Sequence, residues 1–196
     1  MGQKPTLTFS HGVYEKTISQ TTIEEVIDNI ADYILDWYSD LKKAPILLGV
    51  LNGVVYFLVD LHRALQRKHF TAHIDTIAAS SYTEPGKQGK VKITKLPKLD
   101  LNGRRVIIVE DIIDSGNTAK AIIDFIVKNY KTESLEIIAL VLRLTNDATL
   151  SQERNGLQIN YAGICCSGDE WLIGYGFDDN EGGRALPDIY KRIIIF

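Results

Sequence analysis

The sequence predicts one α/β domain, a mainly parallel twisted sheet flanked by helices, with a small appendage. Three observations carry that reading. A length of 196 residues with 45% apolar content suffices for one well-buried core and leaves little room for a second domain. Short apolar runs alternate with segments whose apolar residues recur at helical spacing, the pattern of successive βαβ units. The run Val106-Ile107-Ile108-Val109 is β-branched and apolar throughout, as expected of a parallel strand covered on both faces.

Residues 1–20 are polar and irregular, apart from an apolar patch at Val13 and Tyr14 that could cover a core edge. His11-Gly12 could mark a loop near a site. Thr21 and Thr22, followed three residues later by Glu24 and Glu25, form capping-box patterns. Ile23, Val26, Ile27, Ile30, Ile34 and Trp37 then predict an amphipathic helix ending near Lys43. Pro45 closes the connection to an apolar strand over 46–51, which stops at Asn52-Gly53, and 54–67 reads as a helix. Asn52-Gly53 is either plain turn chemistry or an anion site at a strand's carboxyl end. Residues 70–81 form another strand, ending at Ser80-Ser81-Tyr82. Thr83 to Gly89 contains Pro85 and two glycines without an apolar anchor, and should be mobile. Lys87, Lys90, Lys92, Lys95 and Lys98 read as the protective lysines of a solvated edge strand.

After the turn signal Leu101-Asn102-Gly103 comes the central strand, with Glu110 and Asp111 at its carboxyl end. Asp114, Ser115, Gly116, Asn117 and Thr118 make a small-residue turn into a helix running from about Ser115 to Tyr130. Open α/β sheets place their ligand crevice at such strand ends, and a helix's first N–H groups hold anions. The alternative is a strand ending in solvated acids, followed by an ordinary Asp or Ser cap. Residues 135–144 form another buried strand that carries Arg143, whose head must reach water, a carboxylate or a ligand. Asn146 to Gly156 is a polar loop, and 158–166 and 171–176 are short strands. Trp171, the Gly174-Tyr175-Gly176 turn, Asp178, Asp179 and Arg184 fall within one short span. Trp171 is either core or a platform for a planar base, beside acids that hold a cation and an arginine that neutralises an anion. Ile193 to Phe196 is a terminal apolar strand belonging to the appendage.

A net charge of -3 offers no general attraction to nucleic acid or to anionic membrane. The amino end lacks a basic region followed by an apolar run, and no segment approaches the roughly 20 apolar residues that span a bilayer, so a soluble cytoplasmic protein is expected. Cys165 and Cys166 are adjacent, which disfavours a mutual disulfide and a zinc site; both read as reduced strand residues. The sequence contains no P-loop, no GxGxxG after a first strand and no GxSxG elbow, and His11, His62, His69 and His73 lack metal spacing. What remains is a site of carboxylates, backbone amides and one or two arginines, suited to a magnesium-bridged phosphate ester.

The stretch from Val109 to Thr118, VEDIIDSGNT, resembles the phosphoribosyl-diphosphate motif of type I phosphoribosyltransferases. The similarity extends to the hypoxanthine-guanine branch through Gly49-Val50-Leu51-Asn52-Gly53, the Ser81-Tyr82 loop, and Trp171 to Asp178 with Arg184 beyond, in family order over nearly the whole chain. The resemblance implies a type I phosphoribosyltransferase-like fold in a single domain over 1–196, its hood formed by approximately 1–20 and 166–196. It implies transfer of the 5-phosphoribosyl group from phosphoribosyl diphosphate to N9 of a 6-oxopurine, hypoxanthine or guanine, giving IMP or GMP and pyrophosphate with Mg2+.

The same resemblance assigns roles. Glu110 and Asp111 hold the ribose hydroxyls, and Asp114, Ser115, Gly116, Asn117 and Thr118 bind the 5-phosphate. Asp114 is also the acid-base residue near N7. Leu51, Asn52 and Gly53 form a pyrophosphate loop with a non-proline cis peptide, joined by Ser81, Tyr82 and Arg184. Trp171 stacks on the base, Leu172 reads its exocyclic edge, and Arg143 stands where lysine usually reads the 6-oxo group. Asp178 lies at the base and is a magnesium ligand, with Glu110 and Asp111 as further metal-binding carboxylates. Asn52 also departs from the family pattern, standing where many members have lysine. The family's habit implies a homodimer or homotetramer. A regulator of the same fold would show a basic face or an added DNA-binding segment, and the acidic balance argues against one.

Overall fold

A computed structural model of the chain describes residues 5–9, 11–38, 43–82, 90–144, 153–154, 156–168, 171–180 and 182–195. From the amino end, the elements are β1 (Thr6–Phe9), β2 (Gly12–Ile18), α1 (Gln20–Trp37), β3 (Ile46–Leu51), α2 (Val55–Arg67), β4 (His73–Tyr82), β5 (Lys90–Lys95) and β6 (Arg105–Ile113). They continue with α3 (Asn117–Asn129), β7 (Ser134–Leu144), β8 (Glu153–Arg154), β9 (Leu157–Gln158), β10 (Tyr161–Ser167), β11 (Leu172–Ile173) and β12 (Ile189–Ile195).

Six strands form the main sheet in the order β10-β7-β6-β3-β4-β5. All pair in parallel except the lysine-bearing edge strand β5, which runs antiparallel to β4. Helices cover both faces, which is why the middle stretches of the central strands, such as Val106 to Val109, are apolar on both sides. Leu47, Ile107 and Val109 point into a cluster with Ile23, Ile30 and Ile34 of α1 and Phe57, Leu61 and Leu65 of α2. Their sequence neighbours Ile46, Leu48, Val106 and Ile108 point the other way, against Ile122 and Ile126 of α3. Each such fully buried side chain contributes about 1.5–3 kcal/mol.

A second sheet, ordered β1-β2-β12-β11, gathers both ends of the chain. Its small core is Tyr14, Ile173 and Tyr190. Among the described residues of 1–20, Thr6–Phe9 and Gly12–Ile18 are strands in place of the expected irregular stretch: the patch at Val13 and Tyr14 belongs to β2, whose long-range partner is β12. His11 sits in the β1–β2 turn with its Nε2 2.9 Å from the side-chain amide of Asn180, two residues beyond Asp178.

The α1 cap also differs from expectation. Ser19, in extended conformation, accepts the N–H of Thr22 at 3.1 Å, so Thr21 and Thr22 lie inside the helix and do not cap it. The helix ends at Trp37 and not near Lys43. The span expected as one strand over 158–166 breaks at Ile159-Asn160 into β9 and β10, because Asn160 turns to bond Ile137 through both its amide and its side chain. Of 171–176, only Leu172 and Ile173 are strand, followed by an isolated bridge between Gly174 and Phe177. Cys165 and Cys166 both lie on β10. The segment expected to be mobile, 83–89, and most of the 146–156 loop lie outside the described residues. Among the described residues, no helix is long and apolar enough to cross a membrane.

Candidate active site

Parallel strands that share one direction also share one carboxyl edge, and β3, β6 and β7 end together at a cleft of about 470 Å³. Its floor is Val50 to Gly53 from the end of β3, Glu110 to Ile112 and Asp114 from β6, and Thr118 from the start of α3. Arg143 from β7 forms one side; Trp171, Leu172, Gly176, Phe177, Asp178 and Arg184 form the wall contributed by the carboxy-terminal part of the chain. A larger hollow of about 580 Å³ lies around Leu35, Tyr38 and His69. Among the described residues, that hollow includes none of the predicted site residues.

The acid pair is the most perturbed feature of the cleft. Glu110 is only 5% exposed, and burial, reinforced by the neighbouring charge of Asp111, pushes its carboxyl well above the ordinary range. Burial also pushes Asp111 up to about 6, while bonds from backbone N–H groups and the charge of Arg184 pull the other way. Gly53 is packed directly against this carboxylate. A Cβ at Gly53 would stand 1.8 Å from Asp111 Oδ2. The Leu51-Asn52 peptide is cis.

Beyond β6 the chain makes its tight turn, and the cap of α3 is Gly116, in the left-handed region at φ 78°. Gly116 itself has no side chain to cap with, and Ser115 Oγ, one residue before it, accepts the N–H of Asn117 at 3.4 Å, so part of the ordinary Ser-cap reading stands. The first backbone N–H groups of a helix point toward the turn before it, the arrangement that favours an anion. Thr118 and Asp114 face the cleft, whereas Ser115 and Asn117 are exposed on its border.

Arg143 does not snorkel into solvent. Its side chain is 12% exposed, Nη1 donates to the Gly168 carbonyl at 2.8 Å, and Nε lies 3.5 Å from Asp114 Oδ2. The carboxylate of Asp114 is itself 62% exposed, so this ion pair touches one edge of it and leaves the rest open.

The opposing wall is held by a dense set of contacts. Arg184 pairs with Asp178 at 2.7 Å and donates to the Gly176 carbonyl at 2.6 Å. Gly176 lies at φ 105°, where a Cβ would come within 2.0 Å of the Gly53 carbonyl oxygen. Gly53 is thus sandwiched between Asp111 and Gly176, which brings the wall onto the floor. Tyr175 is buried and donates to Asp60 on α2 at 2.8 Å, and burial raises its hydroxyl above the ordinary range. Trp171 is half-exposed, its Nε1 donating to the Asp178 carbonyl at 2.9 Å. Arg192 lies over its ring at 5.5 Å.

The cleft therefore brings together Leu51, Asn52, Gly53, Glu110, Asp111, Asp114, Thr118, Arg143, Trp171, Leu172, Asp178 and Arg184. Ser81 and Tyr82 end β4 beyond Ala79, which lines the cleft; their side chains lie outside the described set. Sequence reasoning missed Ile112 and Phe177 as walls, the Tyr175–Asp60 tie and Arg192. Ile112 and Phe177 read as ordinary apolar positions, and the Tyr175 and Arg192 contacts join separate segments of the chain, so neither leaves a local signal. Among the described residues, no three His, Cys, Asp or Glu side chains converge to hold a metal by themselves.

Strand-end acids, a glycine-capped helix start and a half-exposed tryptophan meet on one cleft of an α/β fold, the make-up expected of a sugar-phosphate transferase. A model of the phosphoribosyl transferase domain matches residues 19–178, and the chain belongs to that family. Among its relatives are hypoxanthine, hypoxanthine-guanine and hypoxanthine-guanine-xanthine phosphoribosyltransferases. The chain is 34% identical over 182 residues to the hypoxanthine phosphoribosyltransferase of Escherichia coli strain K12, covering 92% of this chain and 96% of that one. It is 32% identical over 171 residues to the hypoxanthine-guanine-xanthine phosphoribosyltransferase of Tritrichomonas foetus, covering 87% of each. The crystal structure of a hypoxanthine-guanine phosphoribosyltransferase from Bacillus anthracis superposes with a TM-score of 0.76 at 30% identity, covering 91% of this chain and 97% of that one.

Proposed function

We propose that this enzyme transfers the 5-phosphoribosyl group from phosphoribosyl diphosphate to N9 of hypoxanthine, guanine or both, giving IMP or GMP and releasing pyrophosphate. The observation that carries the reading is the meeting, in one cleft, of the buried acid pair, the Gly116-capped helix start and the half-exposed Trp171.

In this reading the Asp114 to Thr118 turn grips the 5-phosphate through backbone amides and hydroxyls. Glu110 and Asp111 lie under the ribose, accept its hydroxyls and favour positive charge at C1 as the leaving group departs. Leu51, Asn52, Gly53, Ser81, Tyr82 and Arg184 take the diphosphate side. Trp171 stacks on the base, Leu172 reads its exocyclic edge through the backbone, and Arg143 stands at the 6-oxo side. The N9–C1 bond forms as the bond from C1 to pyrophosphate oxygen breaks, and the N7 proton passes to Asp114, whose carboxylate Arg143 orients. The sheet of the two chain ends serves as a hood that keeps water from the activated sugar.

Asp178, Asp111 and Glu110 offer the hard carboxylate oxygens that Mg2+ takes, and with no complete side-chain cage among the described residues, substrate oxygens would fill out its shell. Bound magnesium supplies neutralisation of the pyrophosphate charge.

The test is pyrophosphate release with hypoxanthine, guanine, xanthine and adenine in parallel. Release with hypoxanthine or guanine is expected. Silence with every 6-oxopurine refutes the reading.

A further inference from the structure

Trp171 is 49% exposed, yet two contacts fix it. Its indole N–H is anchored on the Asp178 carbonyl at 2.9 Å, and the guanidinium carbon of Arg192 lies 5.5 Å from its ring centroid. Among the described residues, Trp171 lines the cleft and Arg192 is not one of its lining residues. An exposed arginine would hold such a pose weakly, because its long stem has many rotamers. Here the pose is built in. Arg192 Nη1 lies 2.9 Å from Asp179 Oδ2, the two side chains are 21% and 11% exposed, and the hydroxyl of the fully buried Tyr14 donates to the same oxygen. Tyr14 is also the register partner of Arg192 across β2 and β12, so the three groups come from two neighbouring strands and the loop after the Trp171 segment.

We propose that Arg192, fixed by Asp179 and Tyr14, is a positioning residue for the purine: it backs Trp171 and sets the plane and polarity of the face offered to the base. The proposal rests on the stacking role given to Trp171 above. A cation on one face of an indole draws electron density toward itself and leaves the other face less negative. That face suits an electron-rich purine, and a ring that cannot swing requires less ordering when the base arrives. A purely structural staple for the terminal sheet would use the same Arg192–Asp179 pair, but would have no preference for one substrate.

The experiment separates these. The chain has two tryptophans, so W37F leaves Trp171 as the sole reporter. In that parent, emission should fall as GMP is titrated. R192M/D179N removes the cation without leaving a carboxylate unpaired, and R192K keeps charge without the planar fork. For R192M/D179N the KM for guanine or hypoxanthine should rise about fivefold and the GMP midpoint by the same factor, with kcat and the KM for phosphoribosyl diphosphate changed less than about twofold. R192K should recover part of the loss. Unchanged base KM and GMP midpoint in both folded variants overturn the proposal, as does an equal rise in both KM values accompanied by a lowered Tm. If the parent's emission ignores GMP while pyrophosphate release continues, the stacking role of Trp171 falls, and this proposal with it.

Discussion

Gly53→Ala tests the idea that the cleft floor is built around one carboxylate. The added Cβ would meet Asp111 Oδ2 at 1.8 Å and its Cγ at 2.7 Å, and the nearest heavy atoms it meets are all of that side chain. The carboxylate can rotate away while the backbone stays in place. Leaving its rotamer costs about 0.5–1.5 kcal/mol, and losing its bonds from backbone N–H groups costs roughly 1.5–3 kcal/mol more. At about 2–4 °C per kcal/mol for a chain this long, Tm should fall by roughly 4–18 °C, leaving a folded protein at room temperature. Activity should suffer more, because a group misplaced by about 1 Å can cost on the order of 100-fold. The assays are pyrophosphate release at varied phosphoribosyl diphosphate, with thermal unfolding alongside. A folded variant with undiminished kcat/KM would refute the role of Asp111, and a variant that does not fold would refute the claim that Asp111 yields. The contrasting change is Gly176→Ala, whose Cβ would meet the Gly53 backbone at 2.0 Å from a residue at φ 105°, and there loss of folding is the expected result.

Three further outcomes follow from the same geometry. Asp111, raised to about 6, and Glu110, also raised by burial, bind protons more tightly folded than unfolded, where an aspartate titrates near ~3.9. Stability should therefore fall as pH rises from about 4 through 6, Asp111→Asn should flatten that part of the fall, and urea unfolding across this range measures both. Asp114→Asn should keep the fold and substrate binding while kcat drops about 100-fold or more, and turnover like that of the unaltered enzyme would remove Asp114 from the proton transfer. Tyr175→Phe removes the 2.8 Å bond to Asp60 and should cost about 1 kcal/mol, seen as a small drop in Tm with the cleft residues unchanged.

The sequence by itself determined the parts whose physics is local. The apolar runs of β3, β6 and β7 and the helical spacing of α1, α2 and α3 are periodicities within a few turns, and they place Asn52-Gly53, Glu110-Asp111 and the Asp114 to Thr118 turn at strand ends. The choice of Ser19 over Thr21 or Thr22 as cap was not local, since all three are good capping residues and only the exit from β2 decides which is extended. Nor were β1 and β2 readable, because β2 is completed by β12, pairing Ile18 with Ile189 at the far end of the chain. Tertiary structure alone decided that Arg143 turns to Asp114, that Gly53 is pressed between Asp111 and Gly176, and that Arg192 backs Trp171. Each of these joins residues from separate segments of the chain. A side chain's type limits what it can bond, but the sheet order determines which partner comes within reach.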